Sequence, residues 1–427
     1  MKQTIFIVGI YAVLLTILPA ASTNIYMPTG TQKECHATIS DIVQQAYRHY
    51  PSIKASEKLL LSAQAQIEGA KWNYFPTPSV DFSQGNGGRR GETYRIDQPI
   101  WTGGKLDALS ELAYARGDEA KYTVQESAYA LSTQVLDLVQ YLIQADGEIK
   151  AFEKGREDLI ELSKMLERRV SAGVSSEADR ELVRARIAQI DGDLLTAKER
   201  YKMAKSQIGL LIGKEFRCGL SFGKDRIVQR KYRYTEVAQK MVETHPTLKK
   251  LDAQIAIANA EKHNADAAIM PNVSLRAEHQ RGSLYTNDPV NNETIAYVAV
   301  SFNPGAGLSS LSNIESAKYK VLQAQDVRLT KIQELKNALM SDYNAYISTS
   351  MRMESMMRTI EASQKVMESY KRLFLAGKRQ WLDLVNSSRE VTQNLVQLAA
   401  LRATLITASY RLALQRGDLH FKRRGEL

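Results

Sequence analysis

The chain has few residues that interrupt helices. Its ten prolines all lie at or before Pro304, and none falls between Pro99 and Pro246. Residues 100–245 and 305–427 are therefore free of the strongest helix breaker. Cysteine is equally scarce: Cys35 and Cys218 are the only two among 427 residues, too few for a disulfide-built scaffold. Six histidines (His36, His49, His245, His263, His279, His420) show no metal-ligand spacing. Neither Gly213-Lys214 nor Gly223-Lys224 belongs to a Walker phosphate loop, and no nucleophile elbow is present. These absences point away from an enzyme, and no catalytic, cofactor or metal residue is expected. Long apolar runs are missing too. The longest, Ile5 to Leu18, falls short of the roughly 20 residues a spanning helix needs.

That run has another use. Lys2 precedes it, and Pro19, Ala20, Ala21 and Ser22 follow. A basic start, an apolar stretch and a small-residue exit describe a secretory signal peptide, an uncleaved anchor being the alternative. Export would carry the chain to an oxidising compartment, where Cys35 and Cys218 either pair or remain two free thiols. Cys35 follows Gln32, Lys33 and Glu34, which is not a lipoprotein signal. The formal charge of +10 is spread among nearly as many acids. Its one dense run, Arg226 to Arg233, reads as a solvated connector and not as a nucleic-acid site.

Self-similarity organises the rest. Pro51 and Pro76 match Pro246 and Pro271 at an offset of 195 residues. Ala172, Gly173, Asp179, Ala204 and Gly213 match Ala376, Gly377, Asp383, Ala408 and Gly417 at an offset of 204. The extra residues enter mainly between Arg281 and Glu293. An internal duplication results, with a signal peptide at 1–22, a first repeat at 23–233, a second at 234–418 and a tail at 419–427.

Within the proline-free stretches, Leu131, Val135, Leu138, Leu142, Ala145, Ile149 and Phe152 keep alternating four- and three-residue steps. This seven-residue seam predicts helices packed as coiled coils. A helix from Gly104 to Ala172 would reach about 100 Å at 1.5 Å per residue, too long for a compact globule. Each repeat also has short alternating segments. Val80 and Phe82 alternate with Asp81 and Ser83, and Tyr94 and Ile96 with Arg95 and Asp97. In the second repeat Val273, Leu275 and Ala277 alternate with Ser274, Arg276 and Glu278. A fourth segment, about Thr294 to Phe302, is more uniformly apolar. Such segments fit an outer-membrane barrel, but the smallest barrels need about eight strands. Several chains must then share one barrel. Two ordinary hairpins on a soluble domain are the alternative.

Over residues 38–418 the pattern resembles the TolC family of outer membrane factors. The resemblance is carried by the paired "YPSIKA" and "HPTLKK" openings and the breaks at Pro76 and Pro271. It extends to the joints "QPIWTGGK" and "SFNPGAGL" and to the tips "SAGVSSEAD" and "LAGKRQWLD". It implies a mostly α fold with a small β part, in which long helical hairpins form a periplasmic α-barrel. Each chain of a homotrimer would add four strands to one transmembrane β-barrel, with an equatorial collar near mid-tunnel. Cys35 and Cys218 should lie near that collar.

The resemblance also implies a gate at the hairpin tips. Arg379 takes the place of a family arginine and Asp179 that of its aspartate partner, a link worth about 0–1 kcal/mol if exposed. Ala178 and Phe374 stand where relatives carry a hydroxyl residue and a tyrosine, so the closed state should be less firmly locked. Asp383 matches one aspartate ring of the constriction, and Asn386 stands where a second would be. Asp383 can equally be read as a first-turn acid of the return helix. Gly173, Gly377 and Trp381 mark the tips where an adaptor would dock, with Trp381 either a docking contact or a buried anchor.

For function, the resemblance implies an outer-membrane duct reaching into the periplasm and coupled to an adaptor (a membrane fusion protein). An inner-membrane ABC transporter or proton-driven pump would drive it. The tip "AGKRQWLDLVNSSRE" is similar to the branch that exports large adhesins by type I secretion. Small-molecule or multidrug efflux is the alternative. A periplasmic coiled-coil adaptor or structural protein is a reading of another class, which leaves the recurring strands unexplained.

Overall fold

The computed structural model describes residues 36–85, 90–220, 226–282, 291–303 and 305–418. The proposed signal peptide, Cys35 and the tail at 419–427 lie outside these residues. Two helices of equal length dominate: α3 (Lys105–Ser171) and α8 (Ser309–Leu375), each of 67 residues. Each turns back into a 36-residue partner, α4 (Glu177–Ile212) and α9 (Trp381–Arg416). A shorter pair precedes each long helix. These are α1 (Ile39–His49) with α2 (Pro51–Trp72), and α6 (Tyr234–Thr244) with α7 (Pro246–Ala267). Pro51 and Pro246 each open a helix at its first position, where a missing N–H costs nothing. The repeat offsets of the sequence thus reappear as helices of identical length.

Those lengths explain how the elements stack. At 1.5 Å per residue α3 is about 100 Å long, whereas a 22-residue and a 36-residue helix span about 33 and 54 Å. Placed end to end, a short and a medium helix nearly match one long helix. Helix α3 packs against α2 and α4 on one flank and against α7 and α9 on the other. Among the described residues α8 packs against α7, α9 and, more briefly, α6, which leaves it at an edge. Burial follows this placement: α3 buries 21 of its 67 residues, and α8 buries eight of the same number.

At one end of the long helices lies a four-stranded antiparallel sheet, β2 (Thr77–Gln84), β3 (Arg90–Trp101), β5 (Asn272–Gly282) and β6 (Asn291–Ser301), in that order. Pro99 has no N–H for the ladder, and the register shifts between Pro99 and Trp101. Among the described residues, β2 pairs only with β3 and β6 only with β5, so both outer strands have a free edge. None of the described helices is long and apolar enough to cross a membrane.

Midway along the helices lie the parallel pair β1 (His36–Ala37) and β4 (Gly219–Leu220), and the short α5 (Arg226–Gln229). Ile39, Ile42, Val43 and Ala46 of α1 are buried there against Leu136, Ile208 and Tyr410. The connector expected to be solvated is in fact anchored. Tyr232 is 5% exposed and stacks edge-on against Tyr346, with ring centroids 5.8 Å apart. Arg230 pairs with Glu236 and Asp418. Alternating aromatic and basic residues explain the difference, since the aromatics pack while the guanidinium groups stay at the rim.

Candidate functional site: the strand face and the hairpin tips

The sheet separates two chemistries by register. Val80 opposes Tyr94, Ile96 opposes Ala277, and Leu275 opposes Val298. Val80, Phe82, Ile96, Leu275 and Val298 are all exposed. On the other face Ser79, Arg95, Glu278 and Ile295 form one row, and Asp97, Arg276 and Tyr297 another. Arg95 reaches Glu278 across β3 and β5 and lies 3.8 Å from Asp81. Arg276 Nε donates to Asp97 Oδ2 at 2.8 Å. One apolar face and one face of cross-strand ion pairs suit a wall between lipid and a water-filled passage.

At the far end the two hairpins turn in the same way. Gly173 (φ 71°) and Gly377 (φ 72°) adopt the left-handed conformation that ends a helix. The Gly173 N–H donates to the Val170 carbonyl at 2.9 Å and the Val174 N–H to Arg169 at 2.8 Å. The Gly377 and Lys378 N–H groups repeat this with Phe374 and Leu373 at 3.0 and 2.9 Å.

Beyond the glycines the tips diverge. The Ser176 hydroxyl accepts from the Asp179 N–H at 3.2 Å, while the Asp179 carboxylate accepts from the Ser176 N–H at 3.4 Å. This is a reciprocal capping box. At the matching position Gln380 makes no side-chain cap. Arg379 stands where the first tip has Ser175. Its Nη1 donates to Asp383 Oδ2 at 3.2 Å, and its guanidinium lies 4.5 Å from the centroid of the Tyr370 ring. Within this chain Arg379 therefore pairs with Asp383, one turn along, while Asp179 is held in the cap of its own helix. Asp383 lies in the first turn of α9, where its charge favours the helix dipole. Asn386 is exposed one turn further on.

Trp381 is 4% exposed and packs on Phe374, with ring centroids 5.2 Å apart. It anchors the hairpin, and of the three proposed docking residues only Gly173 and Gly377 lie at the exposed tips. Around Trp381 an apolar cluster joins all four helices, including Leu162 and Leu166 of α3, Val183 of α4 and Leu384 of α9. Arg169 lies over the Phe374 ring at 4.7 Å, a contact worth about 0.5–1 kcal/mol at an exposed site. Gly155 permits close approach there: a Cβ on it would lie 2.3 Å from the Thr392 hydroxyl oxygen.

Sequence reasoning missed a partly buried set of polar contacts among the helices. Arg411 of α9 bridges Asp137 of α3 at 2.6 Å and Asp342 of α8 at 3.7 Å. Burial pushes the Asp342 carboxyl above the usual carboxylate range, against the pull of Arg411 and Gln415. His245 caps α7, its Nδ1 accepting from the Thr247 N–H at 3.2 Å, and its ring packs against Tyr129 at 4.5 Å. Burial lowers the His245 pKa to about 4; Glu126 pulls it up and Lys331 pushes it down. Burial also drives Glu126 up, but hydrogen bonds from Lys250 and Thr247 outweigh it and hold the carboxyl below its ordinary range. His245 falls at the joint matching Tyr50, so the duplication marks the position but not its chemistry. Cys218, in the same region, is disulfide-bonded.

A family model described as "Outer membrane efflux protein" matches residues 237–417, most of the second repeat. Over those residues the chain is similar to the outer membrane efflux protein family. Known structures share the architecture of both repeats. CusC, described for conformational changes accompanying folding and transmembrane channel formation, is 14% identical with a TM-score of 0.78. The match covers 92% of this chain and 95% of CusC. The outer membrane protein VceC from Vibrio cholerae is 14% identical with a TM-score of 0.73, over 89% of this chain and 95% of VceC. The Campylobacter jejuni CmeC outer membrane channel is 13% identical with a TM-score of 0.71, over 91% and 87%. No curated protein sequence matches the chain. The chain thus shares the fold of these outer-membrane channels over nearly its whole length.

Proposed function

We propose that three copies of this chain close one barrel and one helical tunnel. Together they form the outer-membrane duct of a tripartite export system that passes an unfolded polypeptide by type I secretion. One observation carries the assembly: a four-stranded sheet with two free edges, apolar on one face and charged on the other. Exposed strand edges invite pairing with another chain, and closure into a barrel removes them. The TolC-type resemblance implies a trimer that works with an adaptor and an inner-membrane transporter. In a trimer, three Asp383 carboxylates and three Asn386 amides would converge on the axis near the periplasmic mouth. That ring would attract cations and weaken as salt screens it. The exposed turns at Gly173 and Gly377 would meet the adaptor.

The preference for polypeptide cargo rests on the second tip, "AGKRQWLDLVNSSRE". Small-molecule efflux is favoured by a different observation, the efflux description of the matching family model. Deleting the gene and comparing secreted proteins and drug susceptibility in mutant and complemented cells decides between them. The proposal expects loss of one large secreted polypeptide with unchanged susceptibility. Intact protein export with raised sensitivity to dyes, detergents or antibiotics would install the efflux reading instead.

A further inference from the structure

A pocket of about 90 Å³ lies beside the apolar cluster that joins the two hairpins, between α3, α4 and α9. That is several times the ~10–15 Å³ that one water needs. Gly155 of α3 makes the pocket possible. A Cβ there would lie 2.3 Å from the Thr392 hydroxyl oxygen and 3.0 Å from Ile190 Cδ1, so a larger residue would push α9 and α4 away from α3. The floor is apolar, built from Phe152 and Leu159 of α3, Ile190 of α4 and Val385 of α9.

The rest of the lining carries charge without pairing it. Arg186 of α4, half-buried, and Arg389 of α9, exposed, both belong to the pocket. Arg186 Nη1 donates to the Gln189 amide oxygen at 3.0 Å, and among the described residues neither arginine has a carboxylate partner. Other arginines of the hairpins are paired: Arg156 meets Asp191 at 2.5 Å, and Arg379 meets Asp383 at 3.2 Å. Asp193 is the one acid in the lining, so two arginines and one aspartate leave a single surplus positive charge. An apolar floor beside that surplus suits an apolar group with one negative charge. Guanidinium forks match the paired oxygens of a carboxylate or sulfonate.

We propose that this pocket binds an organic monoanion, an apolar group carrying one carboxylate or sulfonate, inside the passage. Arg389 shares the exposed face of α9 with Asn386 and Gln393, since 386, 389 and 393 recur at three- and four-residue steps. It lies eight residues beyond Trp381, about 12 Å at 1.5 Å per residue. On the tunnel reading above, three such pockets would open just beyond the Asp383 and Asn386 constriction. A cargo that crosses this cation-attracting ring would next meet a site for its acidic, apolar parts. The binding itself needs no tunnel; its place in the passage rests on that reading.

Isothermal titration of hexanesulfonate into the full-length protein in zwitterionic lipid nanodiscs tests the site, with empty nanodiscs as the blank. The proposal expects one anion per chain. Arg389→Gln or Arg186→Gln should weaken binding about tenfold, as the loss of one charge-assisted hydrogen bond does. Heat-modifiable oligomer on gels confirms assembly of each variant. Hexyltrimethylammonium, which reverses the charge, and methanesulfonate, which lacks the tail, should both bind about tenfold more weakly than hexanesulfonate. Unchanged binding in either arginine variant overturns the proposal, as does equal binding of either control. Single-channel current in planar bilayers then places the site: hexanesulfonate should reduce it in the wild type and not in Arg389→Gln. An anion that binds without reducing the current overturns the placement inside the passage. Wild-type protein that binds the anion but forms no pore defeats the duct reading and leaves the site standing. Conducting protein that binds no anion defeats the site alone.

Discussion

At the residue scale, two side chains separate burial from function. His245 has its pKa lowered to about 4 from an ordinary value of 6.5. The unfolded chain therefore binds a proton that the folded chain resists between those values, and stability falls as pH drops through that window. The expected loss is about 3 kcal/mol per chain by pH 4, since each tenfold difference in proton affinity is worth about 1.4 kcal/mol. Thermal melting of detergent-solubilised protein from pH 7 to pH 4 reads it, and His245→Phe should remove most of the slope. Trp381 makes the opposite point. The sequence left it open between a docking contact and an anchor, and its burial on Phe374 decides for the anchor. Trp381→Ala should cost about 3–5 kcal/mol, as large core truncations do. An unchanged melting temperature would show that the side chain is not packed as described.

At the element scale, the tips and strands were legible to different depths. Gly377 is left-handed with nothing within 4 Å of an added Cβ, so a larger residue meets only backbone strain. Gly377→Val should cost about 1 kcal/mol or more, visible as faster amide exchange in the last turns of α8. The free upper end of α9 should be unaffected. On the sheet, Phe82 lies on the apolar face and Ser79 on the charged one. Phe82→Lys should destabilise the barrel by about 2–4 kcal/mol if it sits at mid-membrane, and Ser79→Lys by much less. The yield of heat-modifiable oligomer extracted with outer membranes compares them. Equal yields would place the sheet outside lipid. Proline spacing located these helices because a missing N–H acts locally, and alternation located the strands for a similar reason. Within one chain Arg379 lies on Asp383 while Asp179 caps its own helix, a local choice of partner that aligned tips do not reveal. The Asp137–Arg411–Asp342 bridge left no trace in local pattern, since its members come from three helices far apart in sequence.

At the scale of the whole molecule, the duplication is the organising fact. The offsets of 195 and 204 residues fix two copies of one unit, and the copies differ where they meet different neighbours. Helix α3 is enclosed on both flanks, whereas α8, of identical length, keeps Met351, Met357, Val366 and Leu375 exposed. Exposed apolar side chains on an edge helix and, among the described residues, unpaired edges on a four-stranded sheet both call for further copies of the chain. The sequence reached that conclusion from a count of strands, and the structure supplies the edges that such a count requires.

The most direct test is the mass of the protein extracted from outer membranes, measured by native mass spectrometry in detergent. The account predicts three copies per particle, collapsing to single chains on heating in denaturing detergent. A particle of one chain, stable and folded on its own, would contradict the shared barrel on which the account depends.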